Sequence, residues 1–85
     1  MMTREQENFR IAQIEEILNQ LKSDREMAVI NFAIDMEKLS KKYDNDEITM
    51  DAFVARTMLA NASFMNKIER INKKEKKLTE ELLSY

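Results

Sequence analysis

Four carboxylates stand within eight positions, Asp44, Asp46, Glu47 and Asp51. Asp44-Asn45-Asp46 reads like the opening of a calcium loop, in which oxygens at alternate positions converge on one ion. The continuation departs from that pattern, because Thr49 stands where the sharp-turn glycine is required and Ala55 where the bidentate glutamate belongs. The expectation is a solvated acidic turn without a metal. The second concentration of charge is basic: Lys67, Arg70, Lys73, Lys74, Lys76 and Lys77, against Glu69 and Glu75. Such a patch could grip RNA, DNA or an anionic lipid surface, yet no aromatic residue is interleaved to stack on bases. The preferred reading makes it a flank complementary to Glu15, Glu16, Asp24 and Glu26 on a neighbouring helix.

The missing residue types narrow the chemistry further. The chain has no Cys and no His, hence no disulfide, thiol nucleophile or imidazole base, and none of the soft ligands zinc prefers. A ferritin-like metal centre would need the Glu-x-x-His pair. Carboxylates, lysines and two tyrosines remain, but nothing in the pattern forces a pair of them together in an apolar pocket. The expectation is a protein that is not an enzyme, with no catalytic residues and no cofactor.

The elements that position these groups follow from composition and spacing. Without glycine or proline in 85 residues, the chain lacks the usual source of positive-φ turns and the commonest rigid break, which points to an all-α fold. At 44% hydrophobic it is too apolar for a disordered tail. Thr3 followed by Gln6 fits a capping box that opens a helix. Ile11, Ile14, Leu18, Leu21, Arg25, Val29, Phe32, Met36, Leu39 and Tyr43 then step by three and four along one face, with one extra step of four around Arg25. Ser23-Asp24-Arg25-Glu26 is a second capping box, so a break near Ser23 into a three-helix arrangement is the alternative to a continuous helix. No Gly or Asn stands there to take a left-handed cap, which favours continuity.

The break that the sequence does specify is at 44–49. Asn45 is the candidate left-handed residue, Thr49 the candidate N-cap, and Ile48 a staple just before it. A second stripe follows: Met50, Val54, Thr57, Asn61, Phe64, Ile68, Ile71, Glu75, Leu78 and Leu82. The spacing therefore predicts one domain over 1–85, with a helix over about 3–43, a turn over 44–49 and a helix over about 50–83. Folded antiparallel, the stripes pair Tyr43 with Met50, Phe32 with Asn61, Arg25 with Ile68 and Leu18 with Glu75. Asn61 in such a seam either selects register, as a buried Asn can, or turns to water beside Asn31.

A two-helix seam is narrow, and apolar residues lie outside it. Met27, Ile30 and Ile34 on the first arm, with Phe53, Met58 and Met65 on the second, form the candidate interface. An apolar face that widens in this way is usually covered on two sides. Self-association into a four-helix bundle supplies that cover with one gene product; a foreign helix docking in the same groove is the other source. In outline, two helices about a short polar turn, the chain resembles the small helical co-chaperones of bacterial secretion systems and phage- or plasmid-encoded adaptors, a likeness of topology without a sequence motif. The expected function is a protein interaction module, an adaptor, chaperone or inhibitor, with a homodimer or a helical protein as partner. A dimeric nucleic-acid-binding regulator using 67–77 is the alternative, against which a formal charge of −2 weighs. The opening residues carry no apolar stretch of signal-peptide length and no uncharged run approaches a membrane span, so a cytoplasmic location and no membrane partner are expected.

Overall fold

The computed structural model describes all residues, 1–85. Thr3 opens α1 (Arg4–Asp44): its hydroxyl accepts from the Gln6 N–H at 3.2 Å while its own N–H donates to the Gln6 side chain at 2.9 Å. That reciprocal box satisfies two donors the first turn would otherwise orphan. The helix runs unbroken through Ser23 for 41 residues. The alternative break does not form, and Asp24 is occupied otherwise: its carboxylate accepts from the Gln20 side chain at 2.9 Å.

The turn is a Schellman motif built without glycine. The Glu47 N–H donates to the Lys42 carbonyl at 2.8 Å and the Asp46 N–H to the Tyr43 carbonyl at 3.1 Å, the bond pair that closes the last carbonyls of a helix. The left-handed residue is Asp46, with φ 58. Asn45, the residue expected to take that conformation, is the C-cap with φ −89. The physical reason is that α1 continues to Asp44, which moves every cap position one residue along, and Asp tolerates the left-handed region nearly as well as Asn. Thr49 caps α2 (Met50–Leu83) as expected, accepting from the Ala52 N–H at 3.1 Å, and Asp51 lies in the first turn, where the helix dipole favours an acid.

The two helices pack as an antiparallel hairpin measuring 64 × 15 × 12 Å. No helix is long and apolar enough to cross a membrane. The register differs from the one the stripes suggested. Phe32 stacks on Phe64, ring centres 4.6 Å apart, and Tyr43 stacks on Phe53 at 4.9 Å; the sequence paired them with Asn61 and Met50. At both stacks the shift is three residues, close to one turn, and each stacked pair adds to what its rings gain by burial. The inward faces differ as well: Ala28 and Ala60 stand in the seam, while Val29 and Val54 turn out of it, 50% and 46% exposed.

Only Ile14 and Leu21 are buried, at 0% and 5% exposure, and α2 contributes no buried residue. Both lie in the half of the hairpin away from the turn. The radius of gyration of 19.3 Å compares with roughly 12 Å for a compact chain of this length, so the molecule presents a long seam and hardly any enclosed core.

Candidate functional site

The residues that interrupt the apolar seam answer one another across it. Arg25 donates through Nη2 to the Glu75 carboxylate at 2.6 Å and to Oδ1 of Asn72 at 3.1 Å. The sequence register had placed Arg25 opposite Ile68 and Glu75 opposite Leu18; instead each charge in the seam finds the other, which removes the cost of covering either alone. Thr57, the third interruption, donates its hydroxyl to the Phe53 carbonyl one turn back at 2.8 Å and so satisfies itself locally. Asn61 is exposed, in keeping with the reading that turns it to water.

The open end is clasped by a second group. Arg10 grips Glu81 with both Nε and Nη2, at 2.6 and 2.7 Å, and the Tyr85 hydroxyl donates to the same carboxylate at 2.9 Å. The hydrogen bonds from Arg10, and next that from Tyr85, hold the Glu81 carboxyl down at about 2. The Arg10 guanidinium is raised, foremost by its bond to Glu81, and the Tyr85 phenol is raised by its partial burial and then by Glu81. An open groove of about 640 Å³ beside the clasp is lined by Met2, Phe9, Arg10 and Tyr85, among others.

Both ion pairs across the hairpin run from a base on α1 to an acid on α2. That is the opposite of the complementarity expected for the basic segment. None of Lys67, Arg70, Lys74, Lys76 or Lys77 forms an ion pair, and Lys73 pairs with Glu69 of its own helix at 3.2 Å. Glu15, Glu16, Asp24 and Glu26 do not pair with the segment either, so the expected flank-to-flank match is corrected. The acids of α1 and the lysines of α2 lie mostly on outward faces; Asp24 shares a groove with Lys67 and Arg70, and Asp35 one with Lys67, without an ion pair in either. In the turn the acids do not converge, and nowhere do three carboxylates gather closely enough to hold a metal ion.

The candidate interface is not one face. Met27 (51% exposed), Ile30 (49%) and Ile34 (43%) form an open row on α1, and Met58 (67%) and Met65 (58%) another on α2. Phe53 is partly covered and belongs to the hairpin contact through Tyr43. Met27 lines a groove with Asp24, Asn31, Lys67, Arg70 and Ile71. Met65 lies on the other flank of α2, beside Ile68, Glu69, Asn72, Lys73 and Lys76. The two flanks of the hairpin thus differ in kind. The first mixes Met27 and Ile71 with charged and polar groups and continues as a more polar strip through Asp35 and Ser63. The second is apolar: Val29 stands one turn beyond Arg25, which reaches Asn72, and Val54 and Met58 precede Met65 along the same side of α2.

The basic segment divides in the same way. Lys67, Arg70, Lys74 and Lys77, spaced three, four and three, follow the polar flank, whereas Lys73 and Lys76 lie beside Met65. Sequence reasoning missed Val29 and Val54 as surface residues and missed the Arg25 and Glu75 pairing, although these two were the only opposite charges in the stripes. No family model matches the chain, and neither a curated protein nor a solved structure is found to be similar to it.

Proposed function

We propose that the chain is a non-enzymatic helical interaction module, an adaptor, chaperone or inhibitor whose working surface is the apolar middle of the hairpin. One observation carries this reading: Val29, Met58 and Met65 are each half exposed or more in a molecule that buries two side chains. Residues 27–34 and 52–66 contain a single charge, Arg56, in a chain that is 35% charged. A waist with one charge on an otherwise highly charged rod is surface for contact with another apolar helix, since exposed apolar patches of this kind mark association sites.

The test places Asp at Met58 or at Ile30. Both positions are exposed, so the hairpin keeps its helicity by circular dichroism, while association measured by sedimentation, or photo-crosslinking to a protein from a probe at Val54, is lost. Unchanged association in both variants refutes the reading. A second reading rests on the basic residues of the polar flank, which no acid of the chain neutralises in an ion pair. It makes the protein a regulator that grips a polyanion, and it requires affinity for duplex DNA or RNA that falls steeply with salt and disappears when Lys67, Arg70, Lys74 and Lys77 are replaced by Glu.

A further inference from the structure

We infer that the partner covering the apolar flank is a second copy of this chain, docked antiparallel over the turn half of the hairpin, so that acids near each turn meet lysines of the other copy. The inference rests on the interaction-module reading and specifies its occupant. Three observations carry it.

The first is area. The chain exposes 6938 Å², whereas a compact monomer of 10.1 kDa exposes about 5,300 Å². The excess of about 1,600 Å² is twice the roughly 800 Å² each partner contributes to a standard interface. The second is its distribution. Ile14 and Leu21, the only buried side chains, lie in the half away from the turn; the turn half has none, and it is there that Val54 and Met58 are open. Pairing two turn halves covers the part of each copy that lacks a core and leaves the clasped ends free.

The third is charge. An isologous dimer with its two-fold axis across the hairpin at the Phe32 and Phe64 stack lays α2 over α2 and α1 over α1, each antiparallel. Along α2, Asp51 lies ~20 Å before Phe64 and Lys76 ~18 Å after it. Along α1, Asp44 lies ~18 Å after Phe32 and Lys22 ~15 Å before it. The axis therefore brings Asp51 to the partner's Lys76 and Asp44 to the partner's Lys22. Asp51 follows the stripe of Val54 and Met58, Lys22 stands seven residues before Val29, and Lys76 lies beside Met65, so these three charges rim the apolar flank, while Asp44 closes α1 at its turn end. All four are without an ion pair in the isolated hairpin. A parallel arrangement would set acid against acid and lysine against lysine, which costs affinity.

A charge exchange tests this on the full chain. One variant carries Asp44→Lys and Asp51→Lys, the other Lys22→Glu and Lys76→Glu; both should keep wild-type helicity. Each alone is expected to dimerise about tenfold or more weakly by sedimentation equilibrium, and an equimolar mixture to recover wild-type association as a heterodimer, because every contact is again between opposite charges. Since the chain has no native Cys, mixing Asp51→Cys with Lys76→Cys in a glutathione buffer should give a disulfide-linked dimer that neither forms alone. A mixture no tighter than its components, or linkage by Asp51→Cys alone, overturns the antiparallel pairing. A wild-type monomer at high micromolar concentration that still crosslinks to another protein from Val54 overturns the second copy while leaving the interaction module standing. If neither dimer nor crosslink forms, both fail. Loss of polyanion binding with dimerisation unchanged in the Lys22 and Lys76 variant also refutes the proposed role of these lysines.

Discussion

The pairing of Arg25 with Glu75 makes a measurable claim about register. A double-mutant cycle with Arg25→Ala, Glu75→Ala and the double variant isolates their coupling from everything else each side chain touches. The guanidinium and carboxylate are 31% and 40% exposed, so water screens them in part, and the coupling should lie near the top of the range for surface pairs, about 0.5–1 kcal/mol. Replacing both by Leu goes further. About two-thirds of each side chain is covered, and a fully buried Leu is worth roughly 2 kcal/mol, so two Leu contribute about 2.5 kcal/mol in place of a pair worth about 1. The double-Leu variant should be more stable by about 1–2 kcal/mol, which for a domain of this size raises Tm by roughly 4–16 °C. Arg25→Leu alone leaves Glu75 half-covered without its partner and should destabilise. The assay is urea unfolding followed by circular dichroism at one fixed protein concentration, with an Arg25 and Glu81 cycle as the non-contacting control. A coupling indistinguishable from that control would mean that the two charges do not meet, and the register of the hairpin would fall with it.

Three further outcomes follow from local geometry. Asp46→Gly should be more stable than Asp46→Ala by about 1 kcal/mol, because both remove the charge and only Gly accepts φ 58 without a steric cost; equal midpoints in urea would count against the Schellman turn. The Glu81 clasp should be sensitive to acid. Its carboxyl is held at about 2 against an ordinary 4.5, so the contribution is present above 4.5 and is lost as pH falls from there towards 2. Glu81→Gln should therefore lower Tm at neutral pH, with the difference from wild type closing across that window; a constant difference from pH 7 to 2 would rule the clasp out. Phe64→Ala removes a stacked, partly covered ring and should cost about 2–3 kcal/mol, whereas Leu59→Ala on the open surface, 72% exposed, should change the unfolding midpoint by less than about 0.5 kcal/mol.

Helix existence and helix starts were legible in the sequence because both are local, whereas the end of α1 falls one residue beyond the expected place. A chain without Gly or Pro, with Thr3 and Gln6 three apart and Thr49 at the right distance from a polar cluster, has few other ways to satisfy its backbone. Register was not legible to better than a turn, and the reason is instructive. Two stripes of ten positions, most of them aliphatic or aromatic, align almost equally well when slid by three or four positions, since a slide of that size returns each side chain to the same face. What separates the alternatives is the small number of residues that are not interchangeable: two aromatic pairs and one pair of opposite charges. Setting Phe32 opposite Phe64, with Arg25 reaching on towards Glu75, would have fixed the register; that Ala28 and Ala60 rather than Val29 and Val54 face inward is a matter of helix rotation, which no slide of this size supplies. The same logic governs the docking surface. An apolar flank of Val and Met specifies that something covers it but not in which register, so the discriminating groups are again the sparse charges at or near its rim, Asp44 and Asp51 towards the turn, Lys22 and Lys76 away from it. Intramolecular register and intermolecular register are thus assigned by the same physical means: apolar rows provide attraction along the whole rod, and a few unlike charges make one position along it better than its neighbours a turn away.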